Sequence, residues 1–340
     1  MVTAVLRFKP SLEHLALRLR DLVSQAAWEN QAQRVENLLT RWGGPDQALA
    51  IAGRSSRSSD FGGQSSLDLS VKACNYHVTH VLLKHLPTAS HELVSILNGH
   101  NPVTGHSLLY AAVRYSNRHT AFVVQELIRR RADVNGPGSS PSTTSERALV
   151  HCVRRADIAL IQTLLDHRAF VNLVADDGKT LLQTAVGRGD ASILGCLLRN
   201  EGCNVNMLDR FQRSALVSAL RQDRRPFVLV QMLLDASCSS CSVDVDGMQP
   251  LAHAVGLQDP HIYRSLLLGR ADPNAVAVPV NDKQTYMLHF AAKARDEVMI
   301  ACLLQAEADP NLKAKNDRTV LHLAVGLQLS EELLVGSDFF

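Results

Sequence analysis

The chain of 340 residues contains no run approaching the roughly 18 consecutive apolar positions that a membrane-crossing helix needs. Its richest stretch, Phe227 to Leu234, is interrupted by Gln231 and suits a short buried helix. Excess charge is scarce as well. With 35 Lys and Arg against 33 Asp and Glu the net charge is +2, so no global field draws the chain toward nucleic acid or anionic lipid, and electrostatic recognition has to be local. Cysteine is sparse, odd in number at 7 and irregularly spaced, which excludes a dense disulfide framework and reads as reduced thiols. Met1 to Pro10 lacks an apolar core with a small-residue cleavage site, and Glu13 and Asp21 soon interrupt the Arg/Leu pattern a transit peptide requires. The expected address is cytoplasmic or nuclear.

The signatures of catalysis are missing too. Asp177-Gly178-Lys179-Thr180 imitates the end of a phosphate loop, but the glycine needed five residues before Gly178 is Leu173. His91-Glu92 meets Ser95 where a zinc-protease helix requires a second histidine, and no GxSxG occurs. Cys238-Ser239-Ser240-Cys241 is a single CxxC with no second pair at zinc spacing. Cys74, His77 and His80 share one face if the segment is helical, but a fourth ligand is absent nearby. The expectation is therefore no enzyme, no cofactor and no metal.

What the chain has instead is a hydrophobic content of 46% arranged with a long period. Leu109, Leu149, Leu182, Leu216, Leu251, Leu288 and Leu321 recur every 33 to 40 residues. Each of the first six is followed by an apolar pair: Leu127-Ile128, Leu164-Leu165, Leu197-Leu198, Leu233-Leu234, Leu266-Leu267 and Leu303-Leu304. One unit is thus two short helices, and truncating a paired leucine such as Leu198 is expected to open a core cavity. Alanine recurs in the first helix at Ala27, Ala112, Ala185, Ala219, Ala254, Ala291 and Ala324, where a small side chain permits close stacking. Between units stand turns of similar form, Ala132-Asp133-Val134-Asn135 through Ala308-Asp309-Pro310-Asn311, in which Asn and Asp bond nearby backbone readily.

With Thr180-Leu181-Leu182-Gln183, Leu288-His289-Phe290-Ala291-Ala292 and Thr319-Val320-Leu321-His322-Leu323-Ala324 in the same register, the chain resembles the ankyrin-repeat family. The resemblance implies an all-α ankyrin-repeat solenoid of about nine helix-turn-helix units with short hairpin loops. The units begin near residues 22, 66, 106, 146, 179, 213, 248, 285 and 318. Residues 1–21 read as an N-terminal capping segment, 22–105 as degenerate repeats with a Ser/Gly-rich insert at 54–63, and 106–340 as clearer repeats with the last incomplete. A second Gly/Ser/Pro-rich insert spans 136–145. The unfinished ninth unit raises a second expectation, that the chain is a spacer or substrate-recognition portion of a larger enzyme, channel or ubiquitin-ligase receptor.

A stack of such units presents an extended surface, which suits a protein partner better than a small molecule. The resemblance implies contacts at hairpin tips and just after the Ala-rich run of the first helix. Those positions hold Arg114, Tyr115, Arg154, Arg155, Arg188 and Arg221, with Arg210, Phe211 and Arg213 at one hairpin. Arginine forks suit carboxylates, so the expected partner is a protein bearing an acidic segment, bound by a monomeric scaffold or adaptor without nucleic-acid or membrane insertion. His289 and His322 occupy the family's recurring histidine position, for which the resemblance implies a structural hydrogen bond between successive hairpins. Asn135, with Leu127 eight residues before it and Asp133-Val134 adjacent, resembles the acceptor pattern for asparagine hydroxylation in ankyrin proteins.

Overall fold

A computed structural model describes residues 21–42, 64–87, 90–101, 103–115, 119–136, 147–222, 227–244, 246–255, 257–278, 285–314 and 317–327. Most of the capping segment, the insert at 54–63, nearly all of the insert at 136–145 and everything after residue 327 lie outside these. The chain divides into two compact units, Met1–Phe170 and Val171–Phe340.

In the first unit, helical residues 21–28 precede α1 (Ala32–Trp42), followed by the pairs α2 (Ser66–Lys72) and α3 (Tyr76–His85), α5 (Leu108–Arg114) and α6 (Thr120–Arg129), and α7 (Ala148–Arg155) and α8 (Ile158–Asp166). Between the second and third pairs lies α4 (His91–Asn98), a helix that the repeat frame did not foresee. The second unit holds the pairs α9 (Leu181–Arg188) and α10 (Ala191–Leu198), α11 (Ala215–Leu220) and α12 (Phe227–Asp235), α13 (Pro250–His253) and α14 (Pro260–Leu268), and α15 (Met287–Lys293) and α16 (Glu297–Gln305), then α17 (Val320–Leu327). One hairpin is regular enough to form two antiparallel strands, β1 (Val276–Val278) and β2 (Thr285–Tyr286).

The helices start where local chemistry satisfies their orphan N–H groups. Ser65, Ser107, Thr180 and Ser214 cap first helices, each hydroxyl accepting from the backbone three residues on. Carboxylates cap second helices: Asp157, Asp190 and Asp296 accept from the backbone three residues on, and Asp259 from the His261 N–H two residues on. First helices stack on first helices (α2 on α5 on α7; α9 on α11 on α13 on α15 on α17) and second on second (α1 on α3 on α6 on α8; α10 on α12 on α14 on α16). All seven recurring alanines are buried in this stack, as a close helix approach requires.

The paired leucines divide unequally. Leu127, Leu164, Leu197, Leu233, Leu266 and Leu303 are almost wholly buried, whereas Leu198, Leu234, Leu267 and Leu304 are half-buried. Leu198, the position singled out from sequence, is therefore the lesser member. A helix of this length turns only one row of residues fully into the stack, and Leu197 stands in that row.

Side chains tie each turn to the next. Asn135 accepts from the Phe170 N–H (2.7 Å) and donates to the Arg168 carbonyl (3.0 Å). Asn172 repeats both bonds with Asn204 and Gly202, and Asn206 and Asn274 each accept from the following turn. Asn98, the last residue of α4, accepts from Asp133 N–H at 2.7 Å. The extra helix thus delivers an asparagine to the ladder position that a plain turn supplies elsewhere.

Candidate interaction surfaces

In the first unit, α5 and α7 end side by side. Arg114 is exposed at the last turn of α5, and its carbonyl accepts from the exposed Arg155 guanidinium at 3.4 Å. Arg154 is half-buried, and Tyr115 is the half-buried cap residue whose carbonyl accepts from the Cys74 thiol. Arg155 and Arg114 are therefore brought together, while Tyr115 is largely engaged in the fold.

In the second unit Arg188 and Arg221 are exposed at the ends of the packed helices α9 and α11. The hairpin before α11 docks on the hairpin before α9, with the Arg210 N–H donating to the Gly178 carbonyl at 2.9 Å. Gly178 has φ +80, and a Cβ there would meet the Arg210 side chain at 3.1 Å, so only glycine suits this tip. Arg210 is exposed and Phe211 is 52% exposed. Arg213 is committed inward as well as outward. It reaches the buried Asp209 carboxylate at 3.0 Å and lies over the Phe211 ring at 4.8 Å. Asp209 also accepts from the Phe211 and Arg213 N–H groups, so this pair braces the hairpin and holds the phenylalanine out.

A brace of the same design holds the next hairpin with a histidine. His253 meets Asp244 at 2.7 Å, and Asp244 accepts from the Asp246 and Met248 N–H groups. Burial pushes the Asp244 carboxyl up, but the Met248 and His253 bonds more than offset it, leaving its pKa below the ordinary value. Sequence reading missed both braces, and it also missed the buried Tyr263 hydroxyl donating to Asp296 at 2.5 Å. Burial first, and then that carboxylate, hold the Tyr263 phenol well above its usual range. An Asp preceding each hairpin tip was the available signal for the braces; the Tyr263 partnership had none.

The histidine expected to link hairpins does so at His289, which is 1% exposed and reaches the Arg318 carbonyl at 3.0 Å. His322 instead bonds Thr319 within its own hairpin at 2.8 Å. Gln183 occupies the same helix position as His289. Its amide nitrogen donates to the Arg213 carbonyl at 2.8 Å and its oxygen accepts from the Thr180 N–H at 2.9 Å.

The cysteines are free thiols. Burial pushes Cys152 up to about 12 and Cys203 and Cys238 up to about 11, the opposite of an activated nucleophile. Cys74 stands at φ 57 in the turn before α3, so it does not share a helical face with His77 and His80. No cluster of three or more metal-ligating side chains occurs among the described residues.

An ankyrin-repeat family model matches residues 177–210, the span from the Gly178 hairpin through α9 and α10 to the next hairpin. The chain contains an ankyrin repeat and has the ankyrin-repeat fold. Its fold is an all-α ankyrin solenoid, a class of domain that generally mediates protein–protein interaction and is typically not enzymatic. A crystallised ankyrin repeat domain from Acinetobacter baumannii AYE superposes with a TM-score of 0.50 at 21% identity, covering 59% of this chain and 98% of that one. Rabankyrin-5 of Mus musculus is 28% identical over 232 residues, 67% of this chain and 17% of that protein. An L-asparaginase of Dirofilaria immitis is 25% identical over 170 residues, 48% of this chain and 26% of that protein. The chain thus spans about a sixth and about a quarter of these two relatives. No described helix is long and apolar enough to cross a membrane.

Proposed function

We propose that this ankyrin-repeat chain is a non-catalytic scaffold or adaptor that binds a protein partner through an acidic segment. The supporting observation is the exposed set Arg188, Arg210 and Arg221 in the second unit, with Phe211 held outward by the Asp209–Arg213 brace. Arginine forks pair bidentately with carboxylates, and an adjacent half-exposed aromatic adds apolar contact. Arg114, Arg154 and Arg155 offer forks of the same kind from the first unit, whereas Tyr115 is largely taken up by the fold. The scaffold acts as an intracellular monomer and needs no cofactor. The partial likeness to an L-asparaginase carries no activity to this chain.

The test compares the intact chain with an Arg188→Glu, Arg210→Glu, Arg221→Glu variant in a pull-down followed by mass spectrometry, after circular dichroism shows equal helicity. Selective loss of a defined protein supports the reading; an unchanged partner set refutes it. A second reading, that the repeats are the recognition portion of a larger protein, is favoured by the small fraction of each relative that the match covers. Intact mass of the protein from its native source tests that. Asn135 is, in the same proposal, an acceptor for hydroxylation, and because both its amide atoms serve the turn ladder, modification requires local opening of the repeat. Tryptic mapping of native protein tests it by an added oxygen on that residue.

A further inference from the structure

In the second unit the third residue of a first helix points toward the unit that follows, since Gln183 and His289 both bond a carbonyl of the next hairpin. The second and sixth residues share that side of the helix. Leu182 and Val186 of α9, Leu216 and Leu220 of α11, and Leu288 and Ala292 of α15 stand there, and none is more than 4% exposed. In α17 the same two positions hold Leu321, 49% exposed, and Val325, 72% exposed. The opposite row of α17 is closed. Val320 and Ala324 are buried, as Met287 and Ala291 are in α15, and α17 packs on α15.

The third residue of α17 is prepared for the same link. His322 Nδ1 accepts from the Thr319 N–H at 3.3 Å, just as the Gln183 oxygen accepts from the Thr180 N–H at 2.9 Å. With Nδ1 an acceptor, the neutral ring carries its proton on Nε2, the atom through which His289 reaches the Arg318 carbonyl at 3.0 Å. His322 is exposed where Gln183 and His289 are buried, and no carbonyl among the described residues takes its Nε2 proton. A unit that terminates a solenoid carries a polar outer face. Leu321 and Val325 make this one apolar.

We infer that the face of α17 bearing Leu321, His322 and Val325 is an interface for the hairpin and first helix of a further ankyrin unit of the same polypeptide. That helix continues the stack of α9, α11, α13, α15 and α17 and covers Leu321 and Val325 with its own apolar row. The residue two places ahead of it, the position of Arg213 before α11 and Arg318 before α17, offers its carbonyl to His322 Nε2. Continuity decides the occupant, because the same face of α9 meets α11 and the same face of α15 meets α17. The inference rests on the reading that the repeats belong to a larger protein, and it is separate from the arginine-bearing helix ends.

Intact mass of the protein from its native source decides first whether the polypeptide is longer than 340 residues. Diethyl pyrocarbonate, which acylates accessible imidazole nitrogen, is then applied to that native protein and to the 340-residue chain, and peptide mapping follows His322. In the native protein His322 should react at least about tenfold more slowly than in the 340-residue chain. Val325→Asp should restore fast reaction there, and should leave the thermal midpoint of the 340-residue chain unchanged because Val325 is exposed in it. A longer native protein whose His322 reacts as fast as in the 340-residue chain overturns the inference and leaves the larger-protein reading standing. A native protein of 340 residues overturns both. A midpoint lowered by Val325→Asp in the 340-residue chain places the chain's own residues on this face and also overturns the inference. Sedimentation in which Val325→Asp abolishes self-association does the same by naming a second copy as the occupant.

Discussion

Replacing Gln183 by alanine isolates the bond that links one hairpin to the next. Gln183 is 2% exposed, and its amide joins the Thr180 N–H to the Arg213 carbonyl. Arg213 keeps a second bond, from Asp209 N–H at 3.0 Å, so its carbonyl is not stranded. Thr180 loses its amide partner in a buried position. An orphaned buried N–H together with one lost bond and the emptied side-chain volume is worth about 2–4 kcal/mol. Gln183→His is expected to cost less than about 1 kcal/mol, since histidines in the equivalent position serve both ends: His289 reaches the next hairpin's carbonyl and His322 accepts from the Thr319 N–H at 3.3 Å. Urea unfolding followed by circular dichroism measures both, and hydrogen exchange over residues 207–214 locates the effect. A loss below about 0.5 kcal/mol for Gln183→Ala, or equal losses for the two variants, refutes the reasoning.

Leu197→Ala is expected to cost about 2–5 kcal/mol by cavity formation, well above the half-buried Leu198→Ala, in the same urea assay. Arg270 is exposed and held at φ 68, where a Cβ is unfavourable, so Arg270→Gly should stabilise by about 0.5–1 kcal/mol and raise the thermal midpoint. Burial lowers the His289 pKa below 6.5, the Arg318 carbonyl opposing and Lys293 reinforcing the shift. Below pH 6.5 the unfolded chain binds a proton that folded His289 resists; its contribution is therefore complete above that pH and declines as pH falls toward the folded-state value. Unfolding titrations between pH 8 and 5 should show that decline in the parent and a smaller one in His289→Gln.

The ankyrin architecture was legible because its physics is periodic. Each helix pair buries its apolar row only against its neighbours, so Leu, Ala and turn Asn must return at nearly the same interval for the stack to close. The helix α4 broke that frame and escaped notice. Leu93 and Leu97 supply only two buried positions on one face, too few for a period to emerge. The candidate surfaces were legible only as residue types at helix ends. Sequence placed Arg114, Arg188, Arg210 and Arg221 near repeat boundaries, but Arg213 was indistinguishable from them until Asp209 was seen beneath it.

What the sequence by itself determined is the repeat: which residues cap, which face is apolar and where each turn falls, all set by interactions within about 40 residues. What tertiary structure decided is partnership. Gln183 and His289 differ in shape and share only a donor and an acceptor, yet each bonds the carbonyl that closes the next hairpin. Phe122 and Tyr76 belong to different repeats, and only the stacking of α6 on α3 brings their rings together. Such pairs arise from distances between repeats, and a one-dimensional pattern records the identity of a side chain without recording what stands opposite it.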